Sequence, residues 1–196
     1  IAMGQGLVVS CNAYFAQLGT YDVGAQQLID TAGLFGIAVA RNNTPEAIKR
    51  FLPQTSYGQG EILVSPLQLA RVAAAMAGHG TLPPMYDEGN NRIAGPVAVL
   101  PPNLANEVAG FMRAVVTSGT ARRLAASKIP IAGKTGTAEV AVGGSHAWFI
   151  GFAPYGDTGA RKIAFSILVE HGRYGGTTAA PIAGELVAAA RELGLL

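Results

Sequence analysis

The sequence predicts an α+β fold, an antiparallel sheet flanked by helices, and three observations carry that prediction. Helical signals recur between residues 12 and 117 and return after residue 180. Between residues 129 and 171 the pattern changes to strands. The links between those strands, Gly143-Gly144 and Gly156-Asp157-Thr158-Gly159, are too short for the crossover that parallel neighbours need, so the strands must return as hairpins.

The elements follow in order. Asn12 to Leu18 reads as a short helix, with Tyr14, Phe15 and Leu18 apolar and Gly19 as its stop. Thr44 caps another that runs from Pro45 to Phe51. The fullest start signal is Ser65-Pro66-Leu67-Gln68: an N-cap hydroxyl, a proline at the first helical position and a capping-box glutamine at the third. Leu67, Leu69, Ala70, Val72, Ala73 and Met76 make nearly every face of that helix apolar or small, which predicts a central position, and Gly78 and Gly80 follow where a left-handed cap is wanted. Pro101 and Pro102 stop anything upstream of the next helix. There, from Asn103 to Thr117, Leu104, Val108, Phe111, Met112, Val115 and Val116 share one face. Three strands are expected at Ala132 to Val140, His146 to Phe152 and Lys162 to Glu170. A last helix, Ala180 to Leu193, is expected to pack on one face of their sheet.

Composition excludes several functions. A chain of 196 residues fits one domain able to bury roughly 70% of its unfolded surface. Only 13% of residues are charged against 49% hydrophobic, which predicts some uncovered apolar surface. The net charge of +2 is scattered, so no nucleic-acid partner is expected. No apolar stretch approaches the ~20 residues of a membrane span, and Ile1 to Val9 lack the marks of a signal peptide, so the chain is expected to be soluble and already trimmed. Cys11 alone can form neither an internal disulfide nor a cysteine zinc site. His79, His146 and His171 are too widely spaced for a helical ligand pair, so neither metal nor cofactor is expected.

Two motifs fail on context. Gly133-Lys134-Thr135 resembles the tail of a phosphate loop, but Lys128 stands where that loop needs glycine. Gly143-Gly144-Ser145-His146-Ala147 resembles a nucleophile elbow, yet Trp148-Phe149-Ile150 continues as strand where an elbow turns into helix. The informative segment is Gly133-Lys134-Thr135-Gly136-Thr137, where an ammonium, two hydroxyls and approachable backbone suit a carboxylate beside a polarised carbonyl. By itself it also reads as an edge strand with a protective lysine. Likewise Ser10-Cys11-Asn12, before an apolar helix, reads as an ordinary cap when taken alone.

Together, Ser-x-Asn at Ser10 to Asn12 and Lys-Thr-Gly at Lys134 to Gly136 are two parts of the penicillin-recognising signature, whose third part is Ser-x-x-Lys. The chain resembles the transpeptidase domain of class B penicillin-binding proteins. The likeness extends to Tyr57-Gly58-Gln59-Gly60, Ser65-Pro66-Leu67-Gln68-Leu69-Ala70, His146-Ala147-Trp148-Phe149-Ile150-Gly151-Phe152-Ala153-Pro154, Gly175-Gly176 and Ala179-Ala180-Pro181, in the family's order. Cys11 departs from the Asp usual in β-lactamases, at a position penicillin-binding proteins leave variable. The larger departure is that no serine is followed three residues later by lysine. The resemblance therefore implies that residues 1–196 are the C-terminal portion of one transpeptidase domain. The nucleophile segment and two further strands would then lie upstream, leaving one sheet edge unpaired and open to self-association.

The same resemblance implies the chemistry: a serine acylated by a stem peptide with loss of the terminal D-alanine, then deacylated by an amine of a neighbouring strand. Ser10 would pass a proton toward the leaving nitrogen in relay with Lys134, and Asn12 would bind the substrate amide carbonyl. Lys134 would hold the terminal carboxylate with the hydroxyls of Thr135 and Thr137, Gly136 lying between them. The Thr137 N–H would supply half of an oxyanion hole, and the edge from Thr137 to Val140 would pair with the donor peptide. Trp148 is expected to pack between sheet and helix, and Cys11 to point away from the cleft. Implied partners are peptidoglycan stem peptides, β-lactams and membrane proteins of cell-wall synthesis. The implied location is extracytoplasmic, on an N-terminal membrane anchor outside this chain. A D,D-carboxypeptidase or β-lactamase of the same superfamily, or a non-catalytic β-lactam sensor or scaffold, are the alternative readings.

Overall fold

The computed structural model describes residues 1–156 and 159–196, so the centre of the expected turn at Asp157-Thr158 lies outside the described residues. The chain opens with α1 (Met3–Val8) and α2 (Asn12–Gln17). The expected stop at Gly19 does not occur. The chain runs on through a wider, π-type turn, Leu18–Val23, into α3 (Gly24–Leu34). Gly19 is buried and a Cβ there would collide with the Ser56 side chain, so this glycine serves close packing, while the break in direction falls at Gly24, φ +79°.

The single helix expected from Pro45 to Phe51 is two: α4 (Pro45–Lys49) and α5 (Leu52–Thr55), the second with Pro53 in its first turn. Thr44 caps α4 as expected, its Oγ1 accepting the Ala47 N–H at 3.3 Å. In α6 (Pro66–Ala77) the full capping box forms. Ser65 Oγ accepts the Gln68 N–H at 3.2 Å, and the Ser65 N–H donates to Gln68 Oε1 at 2.8 Å. This helix is less central than expected, because Ala73, Ala75 and Met76 are buried while Leu67 stays 60% exposed.

Four short strands follow that the sequence did not announce: β1 (Thr81–Leu82), β2 (Met85–Tyr86), β3 (Arg92–Ala94) and β4 (Val97–Ala98). β1 pairs with β4 and β2 with β3, one hairpin nested in another. Then come α7 (Pro102–Thr117), β5 (Ala132–Ala138), β6 (His146–Ala153), β7 (Ile163–Val169) and α8 (Ala179–Glu192).

The main sheet is antiparallel in the order β5-β6-β7, with Lys134 opposite Ile150, Thr135 opposite Phe149 and Thr137 opposite Ala147. Alternation along the strands sends residues to two layers. Ala147, Phe149, Phe165 and Ile167 meet Ala179, Ala180, Ala183 and Val187 of α8, the packing expected of the last helix. Ala132 and Phe152 point the other way, onto Ala75 and Met76 of α6 and Ala105, Ala109 and Met112 of α7. The outer edges of β5 and β7 have no partner strand among the described residues.

Candidate active site

Ser10 follows α1 by two residues and sits in the left-handed region, φ +55°, a conformation that non-glycine residues hold only when their surroundings impose it. The turn is fixed by main-chain bonds: Ser10 N–H to Leu7 O at 3.2 Å and Cys11 N–H to Gly6 O at 2.8 Å. Ser10 is not a helix cap. The residue preceding α2 is Cys11, which makes no side-chain cap bond, and the Ser10 hydroxyl turns instead toward β5.

There Lys134 Nζ donates to Ser10 Oγ at 2.7 Å and to the Thr135 carbonyl at 2.7 Å. The contact joins residues 124 positions apart. Lys134 is half-buried, and burial pushes its pKa down to about 8. Asn12 is exposed on the first turn of α2, close in sequence to this pair, and Cys11 is half-buried between them.

The two threonines of the edge differ. Thr135 is buried, 8% exposed, with its hydroxyl 2.6 Å from that of Thr120. Thr137 is exposed. The neighbouring glycines serve the chain's own packing. A Cβ on Gly133 would collide with the Phe149 ring, one on Gly136 would stand 3.0 Å from Trp148 Cβ, and Gly175 lies against the Gly136 backbone. Trp148 is half-buried, on the face of the sheet that carries Lys134.

Two residues of the site escaped the sequence reading of roles. Thr120 links α1 to β5: its N–H reaches Val8 O at 3.4 Å, at the end of α1, while its hydroxyl meets Thr135 beside Lys134. Nothing in Ser118-Gly119-Thr120 distinguishes it from an ordinary turn after a helix. Gln59 reaches the end of β5, where its Oε1 accepts the Glu139 N–H at 3.0 Å and its Nε2 donates to the Glu139 carbonyl at 3.4 Å. The signal available there was the pair of flanking glycines. Among the described residues no group of three or more His, Cys, Asp or Glu side chains is placed to hold a metal, and no helix is long and apolar enough to cross a membrane.

A lysine on a sheet edge is thus hydrogen-bonded to the serine of a Ser-x-Asn turn, with exposed Thr137 three positions further along the strand. The family model described as "Penicillin binding protein transpeptidase domain" matches residues 1–188, and the chain belongs to that family. It is 31% identical over 226 residues to a Mycobacterium tuberculosis protein named peptidoglycan D,D-transpeptidase PbpA, with 98% of this chain and 44% of the relative covered. A penicillin G acyl-enzyme complex of penicillin-binding protein A from M. tuberculosis superposes with a TM-score of 0.75 at 29% identity, covering 97% of this chain and 48% of that one. Penicillin-binding protein PBP2 from Helicobacter pylori superposes with a TM-score of 0.82 at 26% identity, covering 100% of this chain and 41% of that one. The chain spans less than half the length of the curated M. tuberculosis relative.

Proposed function

We propose that this chain forms the leaving-group and carboxylate-binding wall of a peptidoglycan D,D-transpeptidase, and that a segment outside these 196 residues supplies the acylated serine. The observation that carries the reading is the 2.7 Å bond from Lys134 Nζ to Ser10 Oγ. An amine leaves only when protonated, and a hydroxyl that accepts from a lysine can pass its own proton to the departing nitrogen and be replenished. Ser10 is assigned to the leaving-group side because the resemblance puts the acylated serine in a Ser-x-x-Lys segment, and no serine of these residues is followed three positions later by lysine.

Lys134, charged below about pH 8, attracts the terminal carboxylate of the D-alanyl-D-alanine donor. Thr137 grips that carboxylate from its exposed position and Thr135 through the hydroxyl it shares with Thr120. Gly136 between them leaves no side chain in the way. Asn12 binds the amide carbonyl of the donor, and the Thr137 N–H contributes half of the oxyanion hole. β-Lactams, which present a carboxylate next to a strained amide, are ligands of the same wall. The relatives' names support transfer to an amine acceptor over release by water. They also support an extracytoplasmic site of action, to which we add a membrane anchor outside this chain and neighbouring proteins of cell-wall synthesis.

The test is Lys134→Ala in the complete domain. Acylation by penicillin is expected to fall about a hundredfold or more, the scale of one lost transition-state contact, with the melting temperature nearly unchanged. Unchanged acylation with a collapsed melting temperature would show a structural lysine and sink the proposal.

A further inference from the structure

The open edge of β5 is the surface on which an extended donor peptide would be laid, and the structure limits that edge in a way the sequence did not suggest. The strand was expected to offer pairing as far as Val140, but β5 ends at Ala138. The groups of Glu139, the next residue to face outward, are already taken.

Backbone polar groups of a strand alternate in direction with a period of two. Glu139 engages Gln59 and not β6 with its N–H and its C=O, and by that period Thr137 and Thr135 turn theirs outward as well. The Thr135 carbonyl receives Lys134 Nζ. Glu139 gives its N–H to Gln59 Oε1 and receives Gln59 Nε2 on its carbonyl, so that a side-chain amide stands where a partner strand would. Thr137, exposed, lies between these two engaged positions and by the same period is the outward residue left for a substrate strand.

Gln59 is built into this position. It is half-buried although both its neighbours are exposed glycines. Gly58 and Gly60 each have φ +87°, and nothing lies within 4 Å of a Cβ at Gly58, so that glycine answers to backbone angle alone. The turn is pinned to the end of α5 by Gly58 N–H to Thr55 O at 3.1 Å and Gln59 N–H to Gln54 O at 3.0 Å. A Gly-Gln-Gly sequence is thus a rigid pivot that aims one amide at the end of one strand.

We infer that Gln59 is a specificity-determining residue that ends the substrate-pairing edge, confining main-chain pairing with the donor peptide to Thr137. The inference rests on the transpeptidase reading. With the donor's carboxylate held at Lys134 and Thr137, its upstream residues run toward Glu139, and Gln59 occupies the groups they would use. Gln59 acts through Glu139 and is a positioning residue, not a catalytic one.

The experiment uses the complete domain with two substitutions, Gln59→Ala and Gln59→Glu, the latter keeping an acceptor for the Glu139 N–H. Two probes are compared: an acyl-D-alanyl-D-alanine dipeptide, and the same dipeptide extended by two residues at its N-terminus. The parent is expected to process both with similar kcat/KM. In Gln59→Ala the ratio of extended to short donor should rise about five- to tenfold, the worth of one added main-chain hydrogen bond, and Gln59→Glu should fall between. Amide hydrogen exchange at Glu139 should be fast in Gln59→Ala and slow in the parent and in Gln59→Glu. A role confined to holding the loop would lower both donors equally and leave the ratio fixed, which overturns the inference. So does a Glu139 amide that exchanges alike in all three proteins. A parent that turns over neither donor and is not acylated by penicillin overturns the transpeptidase reading itself, and the inference with it.

Discussion

Ser10 adopts φ +55° at a cost of order 1–3 kcal/mol, and the return is a hydroxyl aimed at a lysine 124 positions away. Lys134 is the residue whose charge is most open to test. Burial brings its pKa to about 8, so in the free site it is cationic below that pH and neutral above it. Attraction for a ligand carboxylate is therefore lost as pH rises through 8, and kcat/KM for penicillin acylation in the complete domain is expected to decline there. Arginine keeps its charge far above that range, so Lys134→Arg should abolish the decline even while lowering the rate. A decline near pH 8 that persists in the arginine variant would assign it to another group. At this scale the sequence named the chemistry-bearing pair only through its likeness to a family. Taken alone, Ser10 read as an ordinary cap, and Lys134 read equally well as a guard on an edge. Thr120 and Gln59 were silent for a physical reason: each acts through a bond to a partner more than a dozen positions distant, and no local pattern encodes such a bond.

Helices with ordinary caps were legible to within a residue or two, and α6 is the clearest case, since Ser65, Pro66 and Gln68 each meet a known requirement of a helix start. Removing that cap with Ser65→Ala should destabilise the complete domain by about 1 kcal/mol, read as a small drop in melting temperature with unchanged acylation, because the capping box bonds only within Ser65 and Gln68 and from Gln68 to the Gly36 carbonyl. An acylation defect larger than the stability loss would mean that α6 positions the site. The three strands of the main sheet were equally plain, their period of two bounded by glycine. What could not be read follows the same logic in reverse. α1 and α3 begin at Ala2 and Val23, neither of which offers a side-chain cap, and α3 continues from a π-type turn that no propensity forecasts. The strands β1 to β4 are two or three residues long, too short for any alternation to register. At Gly19 the sequence signal was real and its meaning different, since the glycine makes room for Ser56 and does not end the helix.

Taken as a molecule, the chain holds Lys134 and Ser10 at a three-stranded sheet whose two outer edges have no partner strand among the described residues. Incubated with a labelled penicillin, these 196 residues alone are expected to acquire no covalent adduct by intact-mass spectrometry, since the proposed acylated serine belongs to a Ser-x-x-Lys segment that they lack. A stoichiometric adduct on any residue would place the nucleophile inside this chain and reverse the assignment of roles. The distance in sequence between Ser10 and Lys134 has a consequence for biosynthesis. During synthesis on the ribosome, the residues of α1, α2 and α7 all emerge before β5 exists, so the Ser10 hydroxyl has no Lys134 to accept from. Closing so long a loop is entropically costly, and the cost is met only once the sheet condenses behind it. The Lys134–Ser10 hydrogen bond is therefore among the last features to form, and a polypeptide released before β5 carries Ser10, Asn12 and the preceding helices without that partner.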